Sequence, residues 1–207
     1  MLIITIKQGK EKSLLEGQPW IYASAIERVD GKPYEKMAVG ATALVQSSST
    51  AFLARAAYNS RSQIRARVWS FDPNEVIDHA MIKRRVKAAL AKRFDSAKAL
   101  NHLINGDQDG LSGLLVDGIA SGSGYLVCEF NGAGVEAWKV AIVQALRAET
   151  GYRNVYERAE PLLRKGEGLP TKSGVLAGDA PPDALIVVDK KARVSVDIKT
   201  GRKAVLR

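Results

Sequence analysis

Disulfide chemistry is closed to this chain. Its 207 residues include one cysteine, Cys128, so no internal bridge can form and no zinc site of the multi-cysteine kind. A reducing compartment follows. Histidine is nearly as scarce: His79 and His102 stand apart, with no triad or ligand partner evident beside them. No apolar run reaches the ~20 residues that span a membrane. The run Met1-Leu2-Ile3-Ile4-Thr5-Ile6 is apolar but too short for a signal-peptide core, and lysines follow rather than precede it. Negative charge is also short, with 22 acidic residues against 31 Lys and Arg, a net charge of +9. That balance points to an anionic partner, nucleic acid or an acidic membrane surface. The expectation is a soluble cytoplasmic protein. At 46% hydrophobic it can bury a core of one large or two small domains.

What is present is best read from the segment 60–73. Ile64, Ala66, Val68 and Ser70 alternate with Arg65, Arg67, Trp69 and Phe71, a period of two and hence a strand. One face is small and apolar. The other carries two guanidinium groups and two aromatic rings, chemistry that suits phosphate and stacked bases. The plainer reading, which we prefer on spacing alone, makes Trp69 and Phe71 core and the arginines a solvated face.

Before this segment the chain reads as all-β. Strands are expected over 2–7, 41–46 and 51–58, with one helical turn within 10–20 closed by Gly17. With the 65–71 strand they make a small barrel or sandwich. Asp72-Pro73 is a break, with Asp72 as helix cap and Pro73 at the first position; apolar residues then recur at helical spacing to about residue 97. Strands follow at 100–106, 114–119 and 125–130, then a helix over 135–150 stopped by Gly151. A short strand at 154–158, a charged loop at 164–170 and a hairpin across Lys190-Lys191 complete the pattern. Strands, helix and strands again give a small α+β domain.

Several co-linear motifs carry a resemblance. Lys12-Ser13-Leu14-Leu15 with Gln18-Pro19-Trp20-Ile21-Tyr22 is similar to the "KSLL…HPWVF" opening of the RlmI-like 23S rRNA (cytosine-5) methyltransferase family. The segment 106–117, from Gly106 through Asp109-Gly110-Leu111 to Val116-Asp117, resembles that family's "GE.DGLPGL.VD". Val155-Tyr156-Glu157-Arg158 and Arg164-Lys165-Gly166-Glu167-Gly168 fall in the same order. Gln18 stands where the family usually has His, and Ala204-Val205-Leu206-Arg207 departs from its continuation. The resemblance implies an α+β chain: an N-terminal PUA-like RNA-binding β-barrel over 1–71, a central α+β domain of strand-strand-helix-strand-strand order over 72–180, and a hairpin over 181–207 leading to a Rossmann methyltransferase domain that is absent.

On that resemblance the expected function is the RNA-binding portion of an S-adenosylmethionine-dependent rRNA 5-methylcytosine methyltransferase, inactive by itself. The alternative is a free-standing RNA-binding adaptor. The expected partner is RNA, 23S rRNA in particular, with a homodimer as the family tendency and no membrane. Candidate RNA contacts are Lys10, Lys12, Ser13, Trp20, Arg55, Arg65 and Arg67, with Arg164 and Lys165 extending the basic surface. Lysine and arginine would neutralise phosphates, whereas Trp20 after Pro19 is read first as core and second as a base platform. No catalytic residue, cofactor site or metal site is expected. Methylating C5 of a pyrimidine needs a thiolate, and Cys128 lies in an apolar strand that suits burial. Asp107, Asp109 and Asp117 sit among glycines as turn residues rather than metal ligands.

Overall fold

The computed structural model describes residues 1–206. Alternation at the amino terminus folds as β1 (Leu2–Ile6). One helical turn, α1 (Lys12–Leu15), precedes β2 (Trp20–Tyr22), β3 (Ile26–Asp30), α2 (Pro33–Met37), β4 (Ala41–Gln46), β5 (Phe52–Tyr58) and β6 (Ile64–Ser70). These strands form one sheet in the order β2-β6-β5-β4-β1-β3. β1 pairs antiparallel with β3 on one side. The connection through α2 then delivers β4 parallel to β1 on its other side, as a crossover must. Leu2, Ile4, Ile6, Leu14, Val45 and Val68 fill its core. β2 and β3 are left as edges, so the expected small barrel or sandwich is corrected to one open, mixed sheet.

The break at Asp72-Pro73 is real, but no helix starts there. The Asp72 carboxylate accepts from the Asn74 N–H at 2.8 Å and makes a turn. Helix α3 (His79–Arg93) begins later, capped by Asp78, whose carboxylate accepts from the Met81 N–H at 2.8 Å. The helix expected over 135–150 is two, α4 (Ala133–Ala137) and α5 (Lys139–Thr150), separated at Trp138.

Strands β7 (Leu100–Asn105), β8 (Leu114–Ile119), β9 (Tyr125–Phe130), β10 (Asn154–Glu157) and β11 (Gly174–Ala177) make a second sheet in the order β11-β10-β9-β8-β7. β9 and β10 run parallel, joined through α4 and α5. The strand-strand-helix-strand-strand expectation is therefore corrected as well: three strands, a broken helix, a strand, a further helix and a strand. That further helix, α6 (Pro161–Gly166), overlaps the start of the charged loop expected over 164–170. Its first position is proline and the Glu160 carboxylate accepts from the Leu162 N–H at 3.1 Å.

A third sheet comprises β12 (Leu185–Asp189), β13 (Ala192–Val196) and β14 (Lys203–Leu206). Lys190 and Lys191 both take positive φ, 47° and 70°, as a tight hairpin requires. Arg207 lies outside the described residues.

The second sheet is covered on both faces. Leu126, Cys128 and Phe130 share a core with Met81, Ile82, Val86, Ile142 and Leu146 of α3 and α5. Their neighbour Val127 packs with Leu185, Val187, Val194 and Val196 of the third sheet. Each fully buried side chain of this size contributes roughly 1.5–3 kcal/mol.

Candidate nucleic-acid interface

β6 has the expected alternation, and its partners decide its role. Ala66 and Val68 enter the first sheet's core. Trp69 instead joins the core of the second sheet, and Phe71 is exposed. The aromatic face is thus a seam between the two sheets. Glycine makes the close approach possible. A Cβ on Gly134 would lie 2.6 Å from the Ala57 Cβ and 2.8 Å from Trp69 Cζ2, and one on Gly40 would lie 2.2 Å from the Ala133 carbonyl oxygen. Neither distance is tolerable for a side chain.

Arg67 belongs to the same seam. Its guanidinium lies 2.8 Å from the Glu167 carboxylate, and the two side chains are 13% and 6% exposed. Glu167 also accepts from Ser62 Oγ and Asn59 Nδ2, each at 3.0 Å. One carboxylate from the second region therefore collects three donors from the first. Burying that charge would be costly alone and is tolerable because it is fully partnered.

The remaining candidates divide by exposure. Lys10, Lys12, Ser13 and Lys165 are exposed; Lys12 has only a loose pairing with Glu16 at 3.8 Å. Trp20 is 38% exposed, pairs across the sheet with Arg67, and donates its indole N–H to Asp107 Oδ1 at 3.3 Å. Arg55 is half-buried and donates to the Pro73 carbonyl at 3.2 Å. Arg65 is half-buried and donates to the Ser60 carbonyl.

Arg164 has to be corrected. It is 2% exposed and reaches Glu136 at 3.0 Å, Glu157 at 3.2 Å and the Phe130 carbonyl. Its guanidinium is spent inside the protein and offers nothing to a phosphate. Lys139 completes this cluster at 2.8–2.9 Å from the same two carboxylates. Burial pushes the Glu136 carboxyl up, but hydrogen bonds and charge from Lys139 and Arg164 outweigh it and leave the group below its ordinary 4.5. Nothing near Arg164 in the sequence marks it as buried, because its partners Glu136 and Glu157 come from distant segments.

His102 is likewise not isolated, since its Nδ1 lies 2.8 Å from Asp117. The three aspartates go separate ways: Asp117 to His102, Asp107 to Trp20 and Ser112, and Asp109 to Arg93 at 2.6 Å. Among the described residues no three His, Cys, Asp or Glu side chains gather in a metal-holding group. Cys128 is fully buried, and burial first, then the charge of Glu157, pushes its thiol far up. It is a poor nucleophile in this setting.

A nucleoside cofactor can be tested against the Gly-rich turn from β9 into the start of α4, Asn131-Gly132-Ala133-Gly134. The turn does not fit one. Its glycines admit protein: a Cβ at Gly132 would stand 3.3 Å from Arg67 Cδ, and Gly134 lies against Ala57 and Trp69. The first sheet fills the space a phosphate would need.

Residues 4–71 match the family model described as a PUA-like domain. Over 98% of its length the chain is 37% identical to the ribosomal RNA large subunit methyltransferase I of Aeromonas salmonicida. It is 38% identical to that of Cronobacter sakazakii over 97%. The chain spans about half the length of the curated relatives it matches, 50% in each case. Its fold matches a protein of Streptococcus mutans described as a SAM-dependent methyltransferase, with a TM-score of 0.74 at 16% identity over 97% of this chain and 50% of that one. A second methyltransferase, complexed with SAH, gives 0.74 at 16% over 98% and 49%. The motif resemblance thus extends along nearly the whole chain. The expectation that methyltransferase architecture is missing gives way: the mixed, open sheets described here are a fold that solved methyltransferases contain. No helix among the described residues is long and apolar enough to cross a membrane.

Proposed function

We propose that this chain is the RNA-gripping part of an rRNA methyltransferase, acting on 23S rRNA in the cytoplasm. The observation that carries the reading is its 37% identity, over 98% of its length, to ribosomal RNA large subunit methyltransferase I. The exposed cations Lys10, Lys12 and Lys165 support it, because affinity for RNA comes largely from neutralised phosphates. Arg65 and Arg55 are partly buried, and Trp20 offers a ring face. The units of the reading are 1–71 as the RNA-binding domain, 72–180 as a central domain and 181–207 as an appended sheet.

The reaction of the relatives, on this reading addition of a methyl group to cytosine C5 from S-adenosylmethionine, needs a thiolate and a methyl donor. Cys128 is held too deep to supply the first, so the residues described here transfer no methyl group by themselves. Fluorescence anisotropy with a 23S rRNA fragment, repeated across salt, tests the grip. The logarithm of the affinity is expected to fall linearly with the logarithm of salt. A chain that ignores this RNA at low salt would defeat the reading. Calorimetry with S-adenosylmethionine is expected to show no saturable heat, and sedimentation equilibrium decides whether the chain is a homodimer.

A further inference from the structure

Beside Arg67 the seam opens into two adjoining hollows of about 250 and 290 Å³, which share Ile64, Arg67, Asn131 and Leu163. The first has room for roughly eight water volumes. One wall is Trp20, its ring edge held by Asp107 and its face 5.6 Å from the Arg67 guanidinium. Leu163, 52% exposed on α6, also lines this hollow. Asn131, 7% exposed, and Arg67 line both hollows, and each has one buried polar atom without a partner, Oδ1 and Nε.

An acceptor and a donor left unpaired in a buried place are expensive. Here both atoms belong to residues that line the two hollows. The molecule that answers them is flat, with apolar faces and a polar edge carrying both a donor and an acceptor. A nucleobase has that form, and bases outside a helix are routinely stacked on aromatic rings and read along their edges. The chain's charge of +9 favours the polyanion that would bring one.

We propose that this groove takes one unpaired RNA base, with its face on Trp20 and Leu163 and its edge on Asn131 and Arg67. The proposal rests on the RNA-binding reading and deepens it. Neither sheet completes the groove alone, so the rigid seam is what holds the base's two contacts in register.

The test uses the whole chain and a single-stranded RNA oligonucleotide carrying 2-aminopurine, whose fluorescence is quenched when it stacks. The wild-type protein is expected to quench it. Trp20→Ala and Asn131→Leu are each expected to lose the quenching and weaken binding of this oligonucleotide roughly five- to hundred-fold. Binding of a blunt RNA duplex should be unchanged by both. Should either variant fail to fold, Leu163→Ala at an exposed position removes an apolar wall of the groove without changing charge and is expected to reduce the quenching in the same way. Wild-type binding without quenching, or quenching that survives these variants, overturns the groove while leaving RNA binding intact. Absence of binding to either RNA defeats the underlying function instead. Self-association that Trp20→Ala abolishes, with no quenching, assigns the groove to a second copy of the chain and also overturns the proposal.

Discussion

The first and second sheets place some of their positive charge differently. The first is open at both edges and keeps Lys10, Lys12 and Trp20 at its surface. The second is enclosed by helices on one face and a small sheet on the other, and two of its cations turn inward, Arg164 and Lys139 onto Glu136 and Glu157, while Lys83, Lys87 and Lys165 stay exposed. Arg67 stands between them, on a strand of the first sheet but paired with a carboxylate beyond β10. A basic residue's role here is set by the nearest carboxylate that folding delivers, and its neighbours in sequence say little about it.

That contrast can be broken most directly at Arg164. Replacing it with Ala leaves two carboxylates buried with Lys139 alone, and the expected loss is about 3–5 kcal/mol in urea unfolding. Full stability with weakened RNA binding would mean that Arg164 is a surface group after all. Gly134→Ala comes next. Its Cβ must displace Ala57 or Trp69, an overpacking cost of about 1–3 kcal/mol, and the loss should appear in the same measurement. If the variant is as stable as the parent, the seam is looser than described.

Acid should separate the regions further. Glu136 sits below its ordinary 4.5 in the folded protein, so its contribution is whole above that value and is lost as pH falls through the lower, folded one. The stability gap between the parent and Glu136→Gln, followed by urea midpoint, is therefore expected to narrow below about pH 4.5 and to stay constant above it. Alanine at Lys10 and Lys12 together should leave stability within about 0.5 kcal/mol and make the salt dependence of RNA affinity shallower, by about 0.7–0.9 in slope per lost phosphate contact. The smallest effect is expected at Cys128, where a thiol reagent should label the native chain far more slowly than the unfolded one. Rapid native labelling would contradict its place in the core.

Much of the fold was legible because local patterns were strong. The alternation of β1 and β6, the helical turn ending at Gly17, the stop at Gly151 and the hairpin at Lys190-Lys191 all follow from local backbone preference and face polarity. Helix starts were harder. Asp72-Pro73 and Asp78 both offer a cap, and what favours Asp78 is that Met81 and Ile82 then meet the second sheet. The candidate site was legible by residue type but not by availability. Lys10 and Lys12 read the same in sequence as in space, whereas Arg67 and Arg164 do not, because Glu167, Glu136 and Glu157 come from elsewhere in the chain. His102 misled for the same reason: β7 and β8 had to pair before Asp117 could stand beside it.

The amino-acid order alone determined the basic charge, the lack of disulfides and the period of most strands and helices, since each depends on composition or on residues a few positions apart. Only the tertiary structure decided which cations face water, that the aromatic face of β6 is a seam, and that Asn131 and Arg67 share a groove with Trp20. Those outcomes depend on contacts between residues far apart in the chain, and such contacts exist only once both sheets have formed and closed on each other.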